Sequence, residues 1–243
     1  MDPAKERYEN DQYHLSVQDG AWKAKQMLAL LNNIPDRKMI RNYADVGCGH
    51  GDVISHMDMF LKKAGFPIER TCGYDISPFP KDLQAKHPGI NFIQRDFLST
   101  TECFDLITLN DVLEHISSPQ KFLERIADRT HYLALHIPLD ARLSVLLADQ
   151  FNFRLSKVGH ISFWTPFSAL NLLSASGFLP LGCRFTPGFL APSGRERLLQ
   201  WLALPARCAF WFLSPGLTAT ALGGVSLAVL ARGRHVGAHH PAK

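Results

Sequence analysis

Three glycines at alternate positions, Gly47, Gly49 and Gly51, break up the apolar run ADVGCGHGDV at residues 44–53. Glycine in such a turn lets backbone amides approach a ligand, because no Cβ stands in the way. Two isolated carboxylates follow, Asp75 at the end of CGYDIS and Asp96 within QRDF. An acid at the end of a second parallel strand can accept both hydroxyls of a ribose. At a third strand end it can accept from the exocyclic amine of an adenine, with Ile76 or Phe97 covering the ring. Each also has a plainer reading, a helix N-cap for Asp75 and a turn residue for Asp96. Asn110 and Asp111 come next. Three histidines, His115, His136 and His160, can then move a proton near neutral pH.

The glycine spacing decides which nucleotide suits the turn. A dinucleotide fingerprint needs G-x-G-x-x-G. Counting from Gly47 puts Asp52 at the last position, and counting from Gly49 puts Ile54 there. The phosphate loop G-x-x-x-x-G-K-[ST] fails as well, since no Lys-Ser/Thr pair follows. Electrostatics point the same way. A helix N-terminus attracts anions, but Asp52 in the first turn and Asp45 just upstream would repel a pyrophosphate. The same acids favour an ammonium or a sulfonium, so the turn suits a nucleoside without phosphates.

These residues need a scaffold that brings strand ends together, and the pattern supplies one. NYADVGCG (42–49), TCGYDIS (71–77), INFIQRDF (90–97), FDLITLNDV (104–112) and HYLALHIPLD (131–140) read as strands. Helices are predicted at 21–34, 52–65, 81–89 and 119–129, the second stopped by Gly65 and the last opened by Pro119. Short alternation of this kind marks a parallel α/β sheet with helices on both faces. Such sheets bind ligands at the C-terminal ends of their strands, where the polar residues named above fall. Past residue 140, ARLSVLLADQFNFRLSK reads as a helix and a loop. TPFSALNLLSASGF (165–178) reads as a helix capped by Thr165, and 179–185 and 224–232 read as two further strands. The 243 residues, 46% hydrophobic, suffice for one good core and a single domain. Five dispersed cysteines without CxxC spacing fit a reducing compartment, and no metal site is expected. No signal peptide is read at the polar N-terminus, which makes a cytoplasmic location the default.

Taken together, ADVGCGHGD, Asp75, RDF and FDLITLNDVLEHISSP resemble the class I S-adenosylmethionine-dependent methyltransferases over about residues 40–185. VGHISFWTPFSALNLLSASGF (158–178) is similar to a segment of their small-molecule branch. The resemblance implies a doubly wound, Rossmann-like sheet of seven strands, mostly parallel, with an antiparallel last strand. The implied cofactor is S-adenosyl-L-methionine. Gly47, Gly49 and Gly51, with Cys48 among them, would approach its methionyl part, and Asp45 would lie beneath it. Asp75 would hold the ribose and Asp96 the adenine, flanked by Ile76 and Phe97. Asn110 and Asp111 would stand beside the methyl-bearing sulfur, with His115 also counted among the contacts. An aromatic from the N-terminal region, Tyr8, Tyr13 or Trp22, would cover the methionine. The implied division is an N-terminal helical cap (1–36), a cofactor core (37–140), acceptor-side elements (141–184), an apolar insertion (185–223), a closing strand (224–232) and a frayed tail (233–243).

Methyl transfer to a hydroxyl calls for a base, and His136 and then His160 are the candidates. The plainer reading of His115 is a bond to neighbouring backbone. A small-molecule acceptor is expected, sugar-like or polyprenyl-linked. A membrane-surface lipid or quinone enzyme and a non-catalytic binding module are the alternatives. Beyond residue 150, Glu196 is the sole acid against nine Lys/Arg. They form no basic run, which argues against nucleic acid. Residues 208–231 carry no charge, yet Pro215-Gly216 and Gly223-Gly224 break them up, so a lid or membrane-resting segment at 190–222 is expected instead of a span. RERLLQWLALPARCAFWFL would be its helical part, kinked or broken at Pro205.

Overall fold

The computed structural model describes residues 19–147, 150–195 and 198–233. The strand Thr130–Pro138 sends Leu133, Leu135 and Ile137 into one apolar cluster, and Tyr132 and Ala134 into another. This period of two shows a strand buried on both faces. It is β5, preceded by β1 (Asn42–Val46), β2 (Arg70–Asp75), β3 (Asn91–Gln94) and β4 (Phe104–Asn110), and followed by β6 (Phe178–Thr186) and β7 (Ser226–Gly233). The strands form one sheet in the order β3-β2-β1-β4-β5-β7-β6. β1 to β5 pair in parallel, and β7 lies antiparallel to both β5 and β6. The order reverses between β1 and β4, so the connections leaving these two strands diverge and open a crevice at their C-terminal ends.

Helices cover both faces. The cluster around Met27, Leu31, Ile54, Met57 and Leu61 packs α1 (Gly20–Leu31) and α2 (Asp52–Lys63) on one side. On the other, Phe122, Leu123, Ile126, Ala169 and Leu173 pack α4 (Pro119–Ala127) and α7 (Pro166–Ala175), while the four-residue α3 (Leu83–Lys86) lies beyond β2. Thr165 caps α7 as expected: its hydroxyl accepts from the Ser168 amide, and Ser168 answers the Thr165 amide.

The differences from expectation are local. The third strand ends at Gln94 and not at Phe97, because the Asp96 carboxylate accepts the Leu98 amide at 2.9 Å and turns the chain. Residues 141–158 make two short helices, α5 (Leu143–Leu147) and α6 (Phe151–Val158), where a helix and a loop are expected. In the apolar insertion, α8 (Leu198–Leu213) continues through Pro205 without breaking. The uncharged stretch 208–231 is divided among the end of α8, a helical turn at Pro215–Leu217, a π turn at Thr218–Leu222 and β7. No helix among the described residues is long and apolar enough to cross a membrane.

Candidate active site

A cleft of about 520 Å³ opens at the crevice between β1 and β4. Its first wall is the glycine turn. Gly47, Gly49 and Gly51 all have positive φ (78°, 52° and 79°), which an L side chain rarely adopts. The Gly47 and Cys48 amides donate to the Tyr74 carbonyl, and the Gly49 amide donates to Asp75 Oδ2 at 2.7 Å. Asp75 Oδ1 accepts from the Ser77 amide at 2.8 Å. Each oxygen of Asp75 keeps a second lone pair for a ligand. Asp52, read as a charge opposing phosphate, has a structural task as well: its Oδ2 accepts the Gly20 amide at the start of α1, at 2.7 Å.

Behind the turn, Asp45 is fully buried. Its Oδ1 accepts from the Thr108 hydroxyl at 2.6 Å and from Asn110 Nδ2 at 3.0 Å. Asp45 Oδ2 and Asn110 Oδ1 are buried without a hydrogen-bond partner among the described residues. Burial pushes the Asp45 carboxyl up to about 7, against the pull of Thr108 and Asn110. Next along β4, Asp111 has a left-handed backbone, φ 54°, the sole positive φ off glycine among the described residues. Three contacts hold it there. Its amide donates to the His136 carbonyl, Lys23 Nζ reaches Oδ2 at 2.6 Å, and His136 Nδ1 donates to Oδ1 at 2.9 Å. Burial works against its ionisation, but Lys23 and His136 outweigh it and hold the carboxyl well below the usual range.

A second polar group lies on the same cleft. The turn after β4 and the chain after α6 are clipped together. The Ile161 and Ser162 amides donate to the Glu114 carbonyl at 2.8 and 3.1 Å, and His115 Nδ1 donates to the Gly159 carbonyl at 3.1 Å. Gly159 ends α6 in the left-handed conformation, φ 72°. His160 Nδ1 donates to Asp140 Oδ2 at 3.0 Å, and Arg154 donates to the same oxygen at 2.9 Å. The His115 and His160 rings meet edge to face with centroids 5.0 Å apart. Glu114 is 1% exposed and both its carboxylate oxygens lack a hydrogen bond among the described residues; His115 Nε2 stands 3.9 Å from Oε1. Burial, then the charge of Asp111, pushes the Glu114 carboxyl well up. Burial and the neighbouring His160 bring His115 down to about 4.

The cleft therefore gathers Asp45, Gly47, Cys48, Gly49, Asp75, Ile76, Asp96, Phe97, Asn110, Asp111, His115 and His160. Gly51 stands just behind them, where an added Cβ would meet Leu83 and Phe92 at 3.0 Å. His136 departs from its expected place as a base. It is 3% exposed, is absent from the cleft lining, and spends Nδ1 on Asp111 and Nε2 on the Thr186 hydroxyl at 3.0 Å. The antiparallel pairing of β7 with β5 and β6 brings Thr186 there, and the strand-end position of His136 does not reveal it. Trp22 packs edge-on against His136 at 6.1 Å and does not line the cleft, while Tyr8, Tyr13 and the tail beyond Gly233 lie outside the described residues. Sequence reading missed Lys23 and Glu114. Lys23 lies on α1, and only the packing of that helix carries it to Asp111. Glu114 carried a usable signal, a carboxylate beside a histidine at a strand end.

A family model described as "Methyltransferase domain" matches residues 20–181, about two-thirds of the chain. A search of curated sequences returns no significant match. Among solved structures, the chain is similar to magnesium protoporphyrin IX methyltransferase of Synechocystis PCC 6803 with bound S-adenosylhomocysteine (TM-score 0.55, 15% identity, covering 87% of this chain and 82% of that one). It is also similar to a putative sarcosine dimethylglycine methyltransferase of Galdieria sulphuraria (0.59, 14%, 86% and 84%). A third is the putative methyltransferase of Haloferax volcanii, solved in complex with the Trm112 activator (0.61, 14%, 96% and 95%). With its seven-stranded sheet and the family match over most of its length, the chain belongs to the class I S-adenosylmethionine-dependent methyltransferases.

Proposed function

We propose that this enzyme methylates a hydroxyl group of a small-molecule acceptor, sugar-like or polyprenyl-linked. One observation carries the reading: besides the carboxylates at the glycine turn, the cleft holds a second, differently built polar group, His160 backed by Asp140 and Arg154 beside buried Glu114. The cofactor site fits S-adenosylmethionine on its own terms. Asp45 Oδ2 and Asn110 Oδ1 are two buried acceptors without partners among the described residues, which an α-ammonium would satisfy. Asp75 and Asp96 then take the ribose and the adenine amine, and Ile76 and Phe97 flank the ring.

The bound cofactor supplies a methyl group on a sulfonium, which leaves as a neutral thioether. The protein's own work is alignment and proton removal. Lys23 and His136 clamp Asp111, whose strained backbone fixes the rim of the cleft between the two groups, so His136 is a positioning residue here and not a base. The His160 end receives the acceptor hydroxyl and draws off its proton. His160→Ala should lower kcat/KM on a hydroxyl acceptor at least 100-fold while changing S-adenosylhomocysteine affinity less than threefold by calorimetry. Unchanged turnover would remove the hydroxyl reading.

One further observation favours the alternative of a lipid or quinone acceptor at a membrane surface. Leu198, Trp201, Leu202, Phe212 and Leu213 of α8 are all more than half exposed, more large apolar surface on one helix than solvent contact favours.

A further inference from the structure

We infer that Glu114, His115 and His160 form a binding site for a divalent transition-metal ion on the acceptor side of the cleft. One ligand atom from each residue lies within 4.8 Å of the other two. Two imidazoles and a carboxylate are a donor set suited to zinc, cobalt, iron or nickel and less suited to magnesium or calcium. Three protein ligands leave coordination positions open. All three residues line the cleft, which places the ion in the wall of the space an acceptor would occupy.

Two observations beyond the clustering point to a cation. The first is Glu114 itself. A carboxylate 1% exposed whose oxygens take no hydrogen bond from another described residue is costly in both protonation states. An ionised carboxylate has no hydrogen-bonded counter-charge among the described residues, and a neutral one still needs a partner for its O–H. Lys23, whose charge favours the ionised Glu114 carboxylate, is committed to Asp111 at 2.6 Å. A metal ion would satisfy Glu114 directly. The second is the support around the rings. His115 Nδ1 donates to the Gly159 carbonyl, and His160 Nδ1 donates to an Asp140 carboxylate that Arg154 also holds. Metal-bound histidines characteristically show this arrangement, one ring nitrogen donating outward so that the other points at the metal. Ligand atoms around a four-coordinate zinc sit ~3.4 Å apart for bonds of about 2.0–2.1 Å. Closing from the present spacing asks for side-chain movements of roughly 1 Å, within reach of rotamer adjustment.

The chemical role rests on the hydroxyl reading above and refines it. A metal-bound hydroxyl is more acidic, as bound water is. Its proton passes to solvent, the oxygen forms the bond to the methyl carbon, and the C–S electron pair stays on sulfur. His160 then serves as a ligand, and the ion takes over the stabilisation of the developing alkoxide.

The test uses the full chain, stripped of metal by chelation and dialysis and titrated with Co2+ under visible absorption and calorimetry. Wild-type protein should bind one equivalent that Glu114→Gln and His160→Ala each weaken at least tenfold, with S-adenosylhomocysteine affinity within threefold of wild type. A second reading uses wild type alone: bound Co2+ should shift or broaden the ring-proton resonances of His115 and His160. Absence of Co2+ binding, binding that both variants leave within tenfold, or unmoved His115 and His160 resonances would each overturn the site. Binding only at the tail histidines, His235, His239 and His240, appears as the second of these. Loss of cofactor affinity in the wild type would count against the methyltransferase reading alone.

Discussion

Asn110 Nδ2 donates to Asp45 Oδ1, while Asp45 Oδ2 and Asn110 Oδ1 are both buried and both without a donor among the described residues. With the Asp45 carboxyl near 7, the pH dependence of cofactor binding acquires a definite sign. An ammonium prefers the ionised carboxylate, so affinity for S-adenosylhomocysteine should fall as pH drops from 7.5 to 5.5. The loss approaches about tenfold per pH unit at the limit, and Asp45→Asn should flatten the profile. Calorimetry at constant ionic strength measures both. Stability of the free protein runs the other way. A carboxyl with a raised folded pKa retains a proton that the unfolded chain releases, so this contribution is lost as pH rises from about 3.8 through 7. Around Asp111 the residue scale shows what single positions conceal: its charge, its φ of 54° and its place on the cleft depend on Lys23 and His136, from α1 and β5.

At the scale of elements, the turn between β1 and α2 is the most constrained piece. An added Cβ at Gly47 would stand 2.6 Å from Val112 Cγ2, in a backbone conformation alanine rarely takes. Gly47→Ala should therefore cost about 1–3 kcal/mol of stability and weaken S-adenosylhomocysteine binding at least tenfold, read by thermal unfolding and calorimetry. Adding Val112→Ala should recover part of the stability, the clash, and leave the φ strain in place. The β-α alternation through residue 140 was legible because burial on both faces leaves continuous apolar runs ended by polar turns. The stop of β3 at Gln94 was not, since a single side-chain bond from Asp96 to Leu98 decides it. Nor was the outcome at Pro205, where local propensity predicts a kink or a break and α8 runs on as one helix.

Across the whole molecule, charge and apolar exposure are unevenly distributed. Acids are concentrated in the first 149 residues, while the later part is basic and carries α8 with its exposed Trp201, Phe212 and Leu213. If α8 rests on a lipid surface, the full chain should co-float with vesicles containing anionic lipid, and less so at high salt. Phe212→Ser with Leu213→Ser should reduce flotation at least fivefold without changing cofactor affinity. Wild-type protein left at the bottom of the gradient would return α8 to the role of a lid over an apolar acceptor.

The sequence alone determined the sheet class, the glycine turn and the acids that follow it at successive strand ends. These depend on local pattern: an apolar run, a residue without Cβ, a carboxylate where a strand stops. It also separated this turn from dinucleotide and triphosphate loops, because those require glycine or lysine at fixed spacings. Only the tertiary structure decided which histidine reaches the cleft. His136 and His160 look alike as polar residues near strand and loop ends, but β7 brings Thr186 against the first, and the Glu114–Ser162 clip turns the second inward. Lys23 and the buried Glu114 carboxylate belong to the same class of fact. Burial and pairing are properties of distant segments brought together, and one residue's neighbours in the chain do not carry them.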